Sequence, residues 1–218
     1  MQELQDVYTI DKRYVAPRQG NIKIQPLTWL KAYPKYPVIF ASLSLLALVL
    51  SMTISFWFLF LFAFLIIVVN GFYWKNVQEH FNHGALISGK VVFNEPSKIA
   101  FVTDLSKGEG SYQAIKVIEK KLLDESGKPL IHGQKVTAVA LYYEHLKGEY
   151  PFFKDVDPRP IQTATSDQRV IKHSVNQISD EEWQAVSEMI DLLPQNPAAG
   201  LYLIFDEEGE IKIGKVGN

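Results

Sequence analysis

The chain changes pattern once, from a long unbroken apolar run to a stretch that alternates. Residues 38–74, VIFASLSLLALVLSMTISFWFLFLFAFLIIVVNGFYW, are 37 positions without a charged side chain. One helix of that length would extend about 55 Å, against a hydrocarbon core of about 30 Å. A single span would therefore strand several apolar turns in water, whereas two spans need about 20 residues each. The most polar patch in the run, SMTIS at 51–55, supplies a short turn, followed directly by Phe56 and Trp57. Trp29, Tyr33 and Tyr36 precede the run and Phe72, Tyr73 and Trp74 close it, so three aromatic clusters mark three boundary crossings. The pattern predicts a transmembrane hairpin over 36–75, with spans at about 37–52 and 55–74. A core hairpin of a soluble protein would show a polar face, and neither half has one. Ser44, Ala47 and Ser51 form a small-residue stripe that lets a neighbouring helix approach closely. Phe58, Phe60, Phe62 and Phe64 are its expected bulky partners, and Asn70 is expected to bond locally or to the other helix. No ionisable residue lies at mid-membrane, so the hairpin reads as an anchor and not as a transport path.

From residue 84 the period becomes two. ALISGKVVF, KIAFVTDL, YQAIKVIEKKLL and KVTAVALYY read as strands, with helix as the alternative over 116–123. DQRVIKHSV reads as a further strand, and GLYLIF with EIKIGKV as a terminal hairpin across the turn DEEG. One helix interrupts them. ISDEEWQAVSEMIDLL carries a capping box, Ser179 with Glu182, and Ile178 before the cap can staple against Trp183. The fold class expected is α+β: a two-helix transmembrane hairpin, then a small, mostly antiparallel, β-barrel-like (OB-like) domain with one packed helix over 84–218. A sandwich is the alternative.

Charge orients this arrangement. Residues 1–75 carry 7 Lys/Arg and 3 Asp/Glu, a net of +4; the remainder carries 15 and 21, a net of −6. Lys12, Arg13, Arg18, Lys23, Lys31 and Lys35 precede the first span, Lys75 follows the second, and the turn has none. The positive-inside rule puts both termini in the cytoplasm. Residues 1–35 then form a basic cytoplasmic segment suited to anionic lipid, while the acidic domain argues against nucleic acid. With no cysteine, disulfide frameworks and thiolate metal sites are excluded. The apolar run starts too late and runs too long for a cleaved signal peptide.

The segments GALISGKVVFNEPSKIAFVTDLSKG and GQKVTAVALY, with the Trp-bearing helix before GLYLIF, resemble a bacterial family of unknown function over roughly 84–205. That resemblance implies a two-span protein of the bacterial inner (plasma) membrane with a cytoplasmic β-rich, OB-like domain, and it brings no catalytic motif. A weaker architectural likeness is to NfeD-type proteins, which also tether an OB-like barrel to membrane helices.

The sequence lacks a G-x-S-x-G elbow, H-E-x-x-H and a Walker A pattern. KGEGS at 107–111 reads as a loop. EHFNH places Glu79, His80 and His83 within five residues, with the two histidines on one helical face, a zinc-like spacing without a fourth ligand and better read as a polar exit from the span. The most suggestive stretch is YYEHLKGEYPFFKDVDPRP, 142–160. Tyr150, Phe152, Phe153, Asp155, Asp157 and Arg159 form a candidate partner surface, since aromatics and Arg anchor protein contacts. Its alternatives are a loop capping the barrel and an oxygen-ligand metal or catalytic site at Asp155 and Asp157. The functional expectation is a membrane-anchored, non-catalytic module that binds lipid and an unknown protein partner, or self-associates, with no cofactor. A membrane enzyme using the Asp155/Asp157 loop is the alternative, and a nucleic-acid-binding module comes third.

Overall fold

A computed structural model describes residues 18–54, 57–106, 112–144, 153–207 and 210–216. Three helices come first: α1 (Pro26–Ala32), α2 (Lys35–Ile54) and α3 (Trp57–His83). Helix α2 has 20 residues and α3 has 27, about 30 and 40 Å of rise. Both are long and apolar enough to cross a membrane. They pack as an antiparallel pair, and the small-residue stripe is at their contact: Ser44, Ala47 and Ser51 are all buried. Their partners differ from the expectation. Ala63 and Ile66 of α3 are buried, whereas Phe58, Phe60, Phe62 and Phe64 point outward, 46–64% exposed. Small side chains meet small ones because that brings the backbones closest, and bulky apolar groups lose nothing by facing lipid. Asn70 also departs from expectation. Its side-chain oxygen is shielded and makes no hydrogen bond among the described residues.

Helix α3 runs past Trp74 as one unbroken helix to His83, and a strand starts two residues later. The strands are β1 (Ala85–Asn94), β2 (Ser97–Asp104), β3 (Gln113–Glu119), β4 (Lys135–Glu144), β5 (Phe153–Pro160), β6 (Gly200–Glu207) and β7 (Glu210–Lys215). They form one antiparallel sheet in the order β5-β4-β1-β2-β3-β6-β7. The sheet curls into a half-barrel. Strands β3 and β5 stand four places apart in that order, yet Lys116 Nζ on β3 reaches the Asp155 carboxylate on β5 at 2.6 and 2.8 Å. Gly89 permits the curl, since a Cβ there would lie 2.4 Å from the Ala100 carbonyl oxygen and 2.6 Å from the Phe101 ring.

Alternation sends the two faces of the sheet to two cores. Ile87, Val91, Ile99, Phe101, Val136 and Phe153 fill the concave side. Leu86, Ala100, Ile115, Val117 and Val139 face helices on the convex side. Besides the ends of α1 and α3, two helices that follow β5 pack there, where one is expected. DQRVIKHSV is α4 (Gln168–Asn176) and not a strand. Asp167 caps it by accepting from the Arg169 N–H at 2.9 Å, and Ile171 and Ser174 form its buried stripe. Helix α5 (Asp180–Ile190) follows, with Ser179 accepting from the Glu182 N–H at 3.2 Å and with Ile178 and Trp183 both buried. The reciprocal half of that capping box is not formed among the described residues. The Glu182 carboxylate instead meets Arg18 Nη2 at 2.5 Å.

Arg18 belongs to a strap that sequence periodicity did not reveal. Residues 18–25 run along the domain, with Gly20, Asn21 and Ile22 donating N–H bonds to the carbonyls of Gly84, Asn82 and Phe81 at 3.1–3.2 Å. Gln78 on α3 completes the seam, accepting from the Ile24 N–H at 3.0 Å and donating to the Ile22 carbonyl at 2.8 Å. Chain entering the hairpin is therefore bonded to chain leaving it. Both ends of the hairpin lie on the same side of any bilayer it crosses.

Candidate functional site

The expected partner surface separates into three placements. Tyr150 and Phe152 lie outside the described residues, as does the loop 107–111. Phe153 is no surface residue: it is 2% exposed, stacks on Tyr142 with ring centroids 4.6 Å apart, and donates its N–H to the Leu105 carbonyl. It plugs the concave core. Asp155, Asp157 and Arg159 are half-exposed and turn inward to the molecule's own groups. Asp155 binds Lys116, and Arg159 Nε lies 3.2 Å from the Asp157 carboxylate. The two aspartates thus diverge to different cations. Among the described residues no three His, Cys, Asp or Glu groups come together to hold a metal ion.

Arg159 faces the foot of the hairpin. Its guanidinium stands 5.5 Å from the ring centre of Trp29 on α1. Trp29 is buried, donates its indole N–H to the Tyr73 hydroxyl of α3 at 2.8 Å, and packs edge-on to Phe81. Tyr33 tilts against Trp29 at 4.4 Å. Lys120, just after β3, caps the ring of Tyr33 at 3.9 Å and donates to the Ala32 carbonyl at 2.9 Å. The residues read as boundary aromatics, Trp29 and Tyr33, thus form part of the domain core. A belt residue and a core residue of this kind share one sequence signature, a large ring beside an apolar run. The convex core and the hairpin meet at this cluster.

Its electrostatics follow from burial. Burial pushes the Tyr33 phenol up to about 12, and the nearby Asp157 carboxylate adds to the rise. Burial likewise lowers Lys120, which Asp157 partly offsets. The rise makes proton release by Tyr33 harder, and the fall makes charge on Lys120 costlier. His80 is buried against Phe81, and its Nε2 has no hydrogen-bond partner among the described residues.

Two long apolar helices leading into a curled antiparallel half-barrel with packed helices define the class: an α+β protein with a helical hairpin joined to a β-domain. The chain belongs to the family described as "Protein of unknown function (DUF3239)", whose match spans residues 74–193. No curated protein matches the sequence. Among solved structures, one described as "a putative membrane protein from Corynebacterium diphtheriae" is similar at 20% identity and a TM-score of 0.41. That match covers 50% of this chain and 89% of the other. Neither match bears on the likeness to NfeD-type proteins.

Proposed function

We propose that the chain is a membrane-anchored, non-catalytic module whose β-domain recruits a protein partner or assembles with copies of itself. In this reading it sits in a bacterial inner membrane with both termini cytoplasmic, where the basic residues flanking the hairpin hold them. The observation that supports it best is the joint at the foot of the hairpin. Strap, α1, α3 and β5 meet through Trp29, Tyr73 and Arg159. A domain gripped this firmly by its anchor has a set orientation to the bilayer, which suits presentation of one face to a partner. In the organisation into 1–35, 36–75 and 84–218, residues 18–25 of the first part serve as a clamp between the second and the third. Of the candidate partner residues, Phe153 is occupied in the core, so the reading rests on Tyr150 and Phe152 first.

In-cell crosslinking and affinity recovery in mild detergent test this. Tyr150→Ala with Phe152→Ala should abolish recovery of the partner, or of the homo-oligomer, without changing the melting temperature. A double variant that recovers every wild-type partner overturns the reading. A reporter active only outside the cytoplasm, fused at the C-terminus, should be silent.

A further inference from the structure

The side of the domain nearest the start of α2 carries a groove of about 770 Å³ with a mixed apolar and polar lining. It lies between α1, the turn after β3 and the segment 161–168. Thr163 and Thr165 line it as buried residues, and Thr28 and Ser166 add hydroxyls nearer the opening. Gln162 lines it too, and its side-chain oxygen has no hydrogen-bond partner among the described residues. Lys31, Lys120 and Lys121 complete the lining. Lys31 and Lys121 are exposed and make no ion pair among the described residues.

Two carboxylates share the groove, and both are already engaged. Asp124 accepts from the Ser126 and Lys128 N–H groups at 2.8 and 2.9 Å, and Glu125 meets Lys172 at 2.5 Å. Two cations without partners therefore face a shelf of hydroxyls. The position of the groove narrows what it could take. Lys31 is in the last turn of α1, and α2 begins at Lys35. Lys120 holds the carbonyl of Ala32, between them. Leu123, 49% exposed, borders the groove, and Leu27, 75% exposed, borders the adjoining cleft with Thr28 and Lys31. Basic side chains next to exposed leucines at the level where a chain enters the bilayer suit the headgroup layer.

We propose that this groove binds the phosphate headgroup of an anionic membrane lipid. Lys31 and Lys121 pair with the phosphate, while the hydroxyl oxygens of Thr28 and Ser166, whose own protons go to Gln25, accept from the hydroxyl groups of the headgroup. Lys120, already bonded to Ala32, contributes charge only. The proposal rests on the membrane-anchored reading but not on the partner-recruiting one.

The test uses the full-length protein in neutral detergent, followed by thermal unfolding through tryptophan fluorescence. It is titrated with dioctanoyl phosphatidylglycerol, dioctanoyl phosphatidylcholine or glycerol 3-phosphate. Phosphatidylglycerol should raise the melting temperature, phosphatidylcholine should not, and the effect should weaken as salt rises. Lys31→Gln with Lys121→Gln should weaken phosphatidylglycerol binding roughly thirtyfold, at about 1 kcal/mol per lysine. The charge-preserving pair Lys31→Arg and Lys121→Arg should restore it. If glycerol 3-phosphate stabilises as well as the lipid does, the phosphate site stands and its natural source is a soluble phosphate ester. Equal responses to the two lipids, or unchanged affinity in the Gln pair, overturn the proposal. Because the titration needs no membrane orientation and no protein partner, it fails separately from the reporter and recovery experiments.

Discussion

Phenylalanine occupies opposite positions in the two halves of this molecule. In the hairpin, Phe58, Phe60, Phe62 and Phe64 face outward while Ala47, Ser51 and Ala63 are buried. In the β-domain, Phe101 and Phe153 are fully buried, and residues such as Lys121, Glu125 and Arg169 are outside. The inversion has one physical source. In water, an aromatic ring gains by burial, at roughly 25 cal/mol per Å² of apolar area. In hydrocarbon that gain vanishes, and close backbone approach across small residues becomes the main attraction between helices. The joint between the halves mixes both habits: Trp29 is buried as a domain residue, yet its indole N–H bonds Tyr73 at the end of the apolar stretch.

The largest test of the contrast replaces one ring in each half. Phe101→Ala, or Trp183→Ala, should cost about 3–5 kcal/mol in denaturant unfolding of the full-length protein. Phe62→Ala should cost less than about 1 kcal/mol, because lipid or detergent refills the space and no cavity forms. Similar losses in both halves would mean that the hairpin packs like a water-soluble core. Ala63→Phe reverses the experiment by adding bulk at the helix–helix contact. Overpacking there should destabilise the hairpin by about 1–3 kcal/mol, readable as loss of helix–helix crosslinking between cysteines placed on α2 and α3.

The joint gives a pH-dependent signal. The unfolded Tyr33 phenol ionises near 10.0, and the folded one near about 12. The folded state holds this proton longer, so its contribution is complete below about pH 10 and lost as pH rises through that window. Tyr33→Phe should flatten the alkaline loss of stability between about pH 10 and 12, measured by denaturant midpoints. An unchanged slope would mean that Tyr33 is not buried at the joint. The smallest effect belongs to the strap. Glu182 and Arg18 have side chains 32% and 35% exposed, and Glu182→Gln should cost less than about 1 kcal/mol. A loss above about 2 kcal/mol would show that this ion pair alone holds the strap.

Much of this architecture was legible before any coordinate. The lengths of the apolar runs set two helices and a turn, and period-two alternation marked β1, β2, β4 and the β6–β7 hairpin. The cap at Ser179 with its Ile178–Trp183 staple placed α5. Helix α4 was misread because VIKHSV is β-branched and short. Its signals were Asp167 as a cap and the spacing of Ile171 from Ser174. The candidate site was less legible. Phe153 and Arg159 carry the residue types of a contact surface, but a ring that plugs a barrel and a ring that meets a partner look alike in one dimension.

Outside α4 and β5, the sequence by itself determined what depends on neighbours within a few residues: helix or strand, apolar stripe, cap, and the charge asymmetry that the orientation proposal uses. Tertiary structure alone decided which distant groups meet. Arg18 finds Glu182, Lys116 finds Asp155, and Arg159 finds Trp29. It also decided that α3 presents Ala63 and Ile66, and not its phenylalanines, to α2. Such pairings have no period to read. They follow from how a curled sheet and a hairpin fill space together, and each partner is specified only once the other is in place.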